Sequence, residues 1–180
     1  METLGKDLKR YLGEKLDERD FLNYCAVNKG MCNDESYKLY LLNKYPDIRD
    51  KIILDKEENY GNKTWKQYFL MFVYYKSILN NVFTEEDQRN FLDFFGGDII
   101  KYETVSKMKD RVERLVDFKG GMGFFVLIKS GEGNLEGVKF GISRIKDFSD
   151  DTFWIGFSIK AAEDGGYTEI VKYLEKFVKK

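Results

Sequence analysis

Apolar residues recur every four positions at the start of the chain. Leu4, Leu8, Leu12 and Leu16 fall on one stripe of a helix, and charged residues occupy most positions on its other side. A helix with a single apolar stripe is stable when that stripe packs against another element. The spacing therefore predicts a first helix that packs against the segments following it or against a partner.

Capping residues predict two further helices within the first 46 residues. Residues 17–20 resemble a capping box, in which a side-chain oxygen accepts a hydrogen bond from an unpaired backbone N–H. This second helix should end near Lys29, because the glycine that follows suits a C-terminal cap. Asn33 or Asp34 then opens a third helix, and Pro46 closes the unit.

The middle of the chain, residues 47–118, combines charged stretches with helical patterns. The charged run 47–62 is predicted to be a connector with one short ordered segment. Helices are predicted at 65–80, 84–95 and 105–116, the first opened by Thr64 and the second by a capping box of Thr84 and Asp87. The first of these is rich in aromatic residues, so we expect it to be buried on two sides rather than to stack on nucleic-acid bases.

The hydrophobic period changes from 3.6 to 2 at Met122. The pattern predicts a three-stranded antiparallel meander with one buried face and hairpin turns at 130–134 and 146–151. A final helix that begins near Thr168 would cover the sheet. The apolar residues of the three runs are Phe124, Val126 and Ile128; Val138, Phe140 and Ile142; and Phe153, Ile155, Phe157 and Ile159.

These elements together predict an α+β protein. Its parts would be a three-helix unit at 1–46, a connector with helices at 47–118, and a small antiparallel sheet with a C-terminal helix at 119–180. A chain of 180 residues can bury a core without disulfides or metal ions.

The charge balance gives no attraction to polyanions. There are 30 Lys and Arg residues against 31 Asp and Glu residues, a formal net charge of −1. We therefore expect no nucleic-acid partner. The most apolar run, residues 68–75, is far shorter than the roughly 20 residues that span a bilayer, so no membrane partner is expected either.

Candidate chemistry is sparse, because the chain contains no histidine. This removes the Ser-His and Cys-His nucleophile pairs, and two cysteines alone cannot complete a zinc site. Asp147, Asp150 and Asp151 could hold a divalent cation, although a solvated acidic turn is the favoured interpretation. The glycine clusters at 120–123 and 131–137 match no phosphate-loop template. We expect no cofactor and no metal, and an enzyme is the hypothesis ranked last.

Cys25 and Cys32 are expected to be free thiols. On one helix they would lie about 10 Å apart, whereas a disulfide needs Cα atoms within about 7 Å. A low cysteine content is typical of a reducing compartment. The sequence therefore predicts an intracellular protein.

The N-terminal residues also fall in the register of a known motif. The matching positions are Leu4, Gly5, Asp7, Leu8, Leu12, Leu16, Asp17, Asp20, Phe21, Leu22, Val27, Asn28 and Lys29. This pattern resembles the F-box, a three-helix docking motif. Residues 31–35, 37–38, 45–46 and 64–68 further resemble the divergent F-box-like proteins that large DNA viruses encode.

The resemblance implies an adaptor without catalytic activity. Its partner would be the Skp-family adaptor of cullin-RING ubiquitin ligases, and the α+β unit would capture a target protein that the sequence does not identify. The location would be the cytoplasm, or the host cell cytoplasm if the chain is viral. The partner-binding residues would be Leu4, Gly5, Leu8, Leu12, Leu16, Phe21, Leu22, Val27 and Lys29.

Two alternatives remain open. The apolar residues of the first unit are too many for some 40 residues to bury alone, so they face either a partner or the helix that begins at Trp65. The second alternative is a structural or virion-associated interaction protein of a large DNA virus, with no ligase role. Gly5 and Lys9 depart from the F-box pattern and favour that alternative.

Overall fold

The computed structural model describes residues 15–28, 30–95, 103–145 and 148–178, and all regular elements in these ranges are helices. The predicted α+β class is therefore wrong. The α-helices are α1 (Glu18–Val27), α2 (Asp34–Lys44), α3 (Arg49–Tyr60), α4 (Trp65–Asn81), α5 (Glu85–Phe95), α6 (Val105–Phe118), α7 (Met122–Gly131), α8 (Leu135–Arg144), α9 (Phe148–Asp164) and α10 (Thr168–Leu174). Short 3-10 helices occupy Pro46–Ile48 and Glu175–Phe177.

The helices group into two compact units. The first unit comprises Met1–Lys76 with Ile100–Lys109, and the second comprises Ser77–Ile99 with Asp110–Lys180. The sequence predicts a different division, into 1–46, 47–118 and 119–180. That division stays a prediction.

Three predicted helix starts in the first unit are confirmed, whereas residues 4–14 of the predicted first helix lie outside the described residues. Asp17 caps α1 by accepting a hydrogen bond of 2.7 Å from the Asp20 N–H. Asn33 caps α2, where its side chain accepts from the Ser36 N–H at 3.0 Å. Thr64 caps α4 and accepts from the backbone N–H three residues further on, at 3.1 Å. Local capping chemistry therefore defines where these helices begin.

The predicted connector at 47–62 is wrong, because most of this segment forms α3. Ile52 is fully buried, and so is the carboxylate of Asp55. Asp55 accepts hydrogen bonds from the Tyr68 hydroxyl at 2.7 Å and from the Ser106 N–H at 3.3 Å. Asn59 of the same helix also donates to Asp55, at 2.9 Å, but the other two donors are distant in sequence, so the charged composition of this segment does not show that Asp55 is buried.

Helix α4 is buried on one face, whereas the sequence predicted burial on two sides. Tyr68, Phe69 and Phe72 lie in the core. Leu70 and Tyr74 stand exposed on the opposite side of the helix. The aromatic face therefore serves as the core of the first unit.

The predicted meander is replaced by helices α7, α8 and α9 in the second unit. Residues expected on one face of a strand diverge: Ile155 is 1% exposed, whereas Phe157 is 50% exposed. Helix α9 buries Ile155, Ser158 and Ala162 on one face but carries the large apolar Phe157 on its exposed side, so the run of Ile155, Phe157 and Ile159 matches a period of 2. Period alone did not distinguish these helices from strands.

The segments predicted as hairpin turns also belong to helical structure. Ser130 lies in α7, and the turn that follows contains Gly133, with a φ of 72°, before Asn134 caps α8. Residues 148–151 begin α9, and 146–147, including Asp147, lie outside the described residues. The side chains of Asp150 and Asp151 also lie outside the described part of the structure, and among the side chains that it describes no cluster of metal-ligating groups occurs. The last predicted helix is confirmed as α10, although Thr168 itself does not cap it.

Two glycines allow α7 and α8 to approach closely. A Cβ atom added at Gly141 would lie 2.4 Å from Val126 Cγ2, and one added at Gly137 would lie 2.8 Å from Lys129 Cγ. Because these glycines are one helical turn apart, they form a groove along α8 that receives side chains of α7. The adjoining core contains Val126, Val138, Ile142, Ile155, Ala162, Ile170 and Leu174.

A buried ion cluster lies in the second unit. Lys129 has an exposed fraction of 0% and donates to Asp87 at 2.8 Å and to Glu132 at 2.7 Å. Lys119 pairs with the other carboxylate oxygen of Asp87. Asp87 also completes the predicted capping box of α5, accepting from the Thr84 N–H at 3.1 Å. Each charge has a partner, which is the condition for burying ions without a large energetic penalty.

The groove on α8 can be tested with one alanine. Gly141→Ala should lower the free energy of unfolding by about 1–3 kcal/mol, because the added methyl overlaps Val126. The matched control is Gly156→Ala in α9, where a Cβ meets nothing within 4 Å. The control should be neutral or should stabilise the protein by up to about 1 kcal/mol, because alanine favours helix. Urea denaturation followed by circular dichroism measures both, and an unaffected Gly141→Ala variant would contradict the packing.

The ion cluster predicts a pH dependence. Burial by itself would raise the pKa of Asp87, but hydrogen bonds from Lys119 and Lys129 hold it at about 2. Because this folded-state pKa lies below the ordinary value of 3.8, the cluster stabilises the fold above about pH 4 and is lost as the pH falls toward 2. Asp87→Asn should cost about 3 kcal/mol at pH 7. Its deficit relative to the parent protein should shrink by about 2 kcal/mol toward pH 2, whereas a deficit that is constant with pH would refute the assignment.

Candidate functional site

Helix α1 is anchored in the first unit by the ring of Phe21. This ring stacks on Tyr40 with a centroid distance of 4.1 Å, and it meets the edges of Tyr37 at 5.4 Å and Phe69 at 5.6 Å. Phe21 is buried. One side chain thus fixes α1 against both α2 and α4.

Charged and polar groups hold α1 to the same two helices. Lys76 donates to the Glu18 carboxylate at 2.6 Å and to the Tyr45 hydroxyl at 2.8 Å. The Tyr45 hydroxyl in turn donates to Glu18. This triad is partly buried, so it is screened less by salt than a surface ion pair.

The segment before α1 is held by its backbone. The carbonyl oxygen of Leu16 accepts from the Tyr40 hydroxyl and from Lys44, each at 2.9 Å. Burial, and then the carboxylates near the ring, raise the pKa of Tyr40 above its usual range. The hydroxyl therefore stays protonated and remains a donor at all physiological pH values.

Asp34 links the starts of two helices. It begins α2, and its carboxylate accepts from the N–H groups of Trp65 at 3.0 Å and Lys66 at 2.8 Å, at the start of α4. Slight burial raises the pKa of Asp34, but these backbone hydrogen bonds outweigh it and hold the pKa below its ordinary value. The hydrogen bonds to the start of α4 are thus accepted by the charged carboxylate of Asp34.

Cys25 and Cys32 form a disulfide, so the expectation of two free thiols is wrong. Their Cα atoms are 5.5 Å apart. The distance argument applied only to two residues on one helix, whereas α1 ends at Val27 and the chain turns back before Cys32. The Met31 N–H donates to the Asn28 carbonyl at 2.9 Å within this turn. The cysteine content therefore no longer supports the prediction of an intracellular protein.

Apolar side chains stand exposed in the loop that the disulfide closes. Val27 is 84% exposed and Met31 is 54% exposed. The half-buried Tyr24 donates its hydroxyl to the Met31 sulfur at 3.7 Å. We call Tyr24, Val27 and Met31 the loop surface. These three residues form a small apolar surface at the C-terminal end of α1 and in the turn that follows it. The contacts of α1 fix the position of this helix end.

The structure separates the predicted partner-binding residues. Phe21 lies in the core of the first unit and contacts Phe69 in the helix that begins at Trp65. Leu16 and Leu22 are half-buried, and Val27 is exposed. The others, Leu4, Gly5, Leu8, Leu12 and Lys29, lie outside the described residues.

Sequence reasoning missed Met31 and Tyr24. The available signal for Met31 was its position after Gly30, in the short turn between two capped helices, with Cys25 before the turn and Cys32 after it. The helix end predicted near Lys29 already placed Cys32 beyond the helix, and applying it to the two cysteines would have allowed their pairing.

No family model, characterised protein or solved structure matches this chain. Among the described helices, none has the length and apolar character needed to cross a bilayer. The candidate site therefore rests on its own geometry.

Thiol chemistry tests the disulfide. Titration of the denatured, unreduced protein should detect no free thiol, and prior reduction should release both cysteines. Reduction should lower the free energy of unfolding by about 2 kcal/mol, because the closed loop restricts the unfolded chain. The double variant Cys25→Ser, Cys32→Ser is the control and should not respond to reductant. Two free thiols in the unreduced protein would contradict the pairing.

Proposed function

We propose that this chain is a non-enzymatic adaptor that docks on a Skp-family protein of a cullin-RING ubiquitin ligase through its N-terminal helices. The observation that carries the proposal is the exposure of Val27, a residue of the F-box register, at the end of a firmly anchored helix, with Met31 exposed in the turn that follows. An apolar patch held in place by a rigid scaffold is well suited to binding a protein partner.

The anchoring of α1 supports docking in a second way. Helix α1 is held against α2 and α4 by Phe21, Glu18 and the Leu16 carbonyl. Little conformational freedom is therefore left for α1 to lose when a partner docks. Preorganisation of this kind strengthens association without adding contacts. In this proposal Phe21 acts by positioning α1, while Val27 and Met31 contact the adaptor.

The second unit would recruit the target protein. Its surface carries exposed aromatic residues, with Phe124 in ring contact with Trp154 at a centroid distance of 5.6 Å and Phe157 exposed on the same helix as Trp154. Exposed aromatic residues are common anchors at protein interfaces. The captured protein stays unidentified, and the recruiting element is helical rather than a sheet.

The proposed location follows from the proposed role. A cullin-RING adaptor works in the cytoplasm, or in the host cell cytoplasm if the chain is viral. No argument from cysteine content supports this location, since Cys25 and Cys32 are paired.

Charge substitutions on the loop surface test docking. Val27→Lys and Met31→Lys should each weaken binding to a purified Skp-family adaptor at least about tenfold, because a buried lysine at an apolar contact lacks a partner. Leu54→Lys is the matched control, since Leu54 is 54% exposed, as is Met31, and lies on α3 of the same unit. Biolayer interferometry measures the affinities, and circular dichroism checks folding. Equal affinities for all three variants would refute the assigned surface.

A second candidate function is a structural or virion-associated interaction protein with no ligase role. The burial of Phe21 against Phe69 favours it, because this residue of the F-box register then serves the fold of its own unit. Affinity purification from cells distinguishes the two functions. Recovery of ligase subunits supports the adaptor, whereas incorporation into viral particles without them supports the structural role.

A further inference from the structure

We propose that the Cys25–Cys32 disulfide is a redox switch that strengthens docking when oxidised. The inference rests on the proposed docking function and concerns the regulation of the same surface. The disulfide closes the loop that carries Val27 and Met31, the two exposed apolar residues of the loop surface.

The two cysteine residues differ in exposure. Cys25 is buried within α1, whereas Cys32 is half-buried beyond the end of that helix. A reductant therefore reaches Cys32 first. Because of this difference, thiol–disulfide exchange begins with attack on Cys32 Sγ.

The reductant is a dithiol, either a small molecule or a protein. One of its thiolates attacks Cys32 Sγ and forms a mixed disulfide, while Cys25 leaves as a thiolate and takes up a proton. The second thiol of the reductant then attacks the mixed disulfide. The reductant ends as an intramolecular disulfide, and both cysteines end as thiols, so two electrons and two protons have passed to the protein.

Reduction leaves the anchoring of α1 intact but frees the loop. Phe21 and Glu18 hold the helix through contacts that involve neither cysteine. After reduction, Met31 is held by weaker local contacts, including the hydrogen bond from its N–H to Asn28 and the long contact of 3.7 Å between its sulfur and the Tyr24 hydroxyl. Ordering the loop then becomes part of the cost of docking.

The proposed location gives the switch a purpose. Disulfides in a reducing cytoplasm are usually transient and sense the redox state. In that compartment the reduced, weakly docking form would predominate. Oxidising conditions would then close the loop and raise the affinity for the adaptor.

The test compares docking in two redox states of the full chain. Binding to a purified Skp-family adaptor is measured by biolayer interferometry with unreduced protein and with protein reduced by dithiothreitol, and thiol titration verifies each state. Reduction should weaken binding about tenfold, through the ordering of the freed loop. The Cys25→Ser, Cys32→Ser variant controls for effects of reductant on the adaptor. It should bind like the reduced protein in both buffers.

The outcomes separate the switch from the docking function. Binding that is equally tight in both states overturns the switch and leaves docking intact. An absence of binding in either state, from protein whose circular dichroism is that of a folded helical chain, overturns docking and the switch together. Should the double variant fail to fold, the comparison of oxidised and reduced parent protein still decides the question.

Discussion

The first unit depends on the burial of Phe21 between the rings of Tyr40 and Phe69. This contact joins α1 to α2 and α4, and the polar ties of Glu18 and Leu16 act only because it brings those helices together. Val27 lies six residues after Phe21 on the same helix, about 120° around its axis, so a helix fixed through Phe21 turns Val27 toward solvent. The burial of Phe21 and the exposure of Val27 therefore result from one packing arrangement.

The second unit depends on close helix packing around small residues. Gly137 and Gly141 admit Lys129 and Val126 from α7, and the buried Lys129 then requires the carboxylate of Asp87. The close packing against Gly137 and the ion pair with Asp87 thus depend on the same side chain, Lys129. An apolar core of several helices adjoins it, which explains why the segment from Met122 onward is so rich in large apolar residues.

Helix starts could be predicted from the sequence because capping is local: Asp17, Asn33 and Thr64 all bond within three residues of themselves. The predicted meander could not be rejected from the sequence. Gly141 is needed for close helix packing against α7, and that contact is visible only in the folded structure. The burial of Asp55 likewise depends on Tyr68 and Ser106, which are remote in sequence. For the candidate site, Val27 belongs to the F-box register and stays a prediction, whereas the exposure of Met31 and the disulfide depend on how the chain turns back after α1.

The central claim is that the N-terminal surface docks on a Skp-family adaptor, and titration calorimetry of the two purified proteins tests it most directly. The account predicts binding of micromolar affinity or tighter with one adaptor per chain. An absence of binding heat at several temperatures, from a protein with an intact disulfide and helical circular dichroism, would contradict it. In that case the anchored helix α1 would be part of a scaffold only.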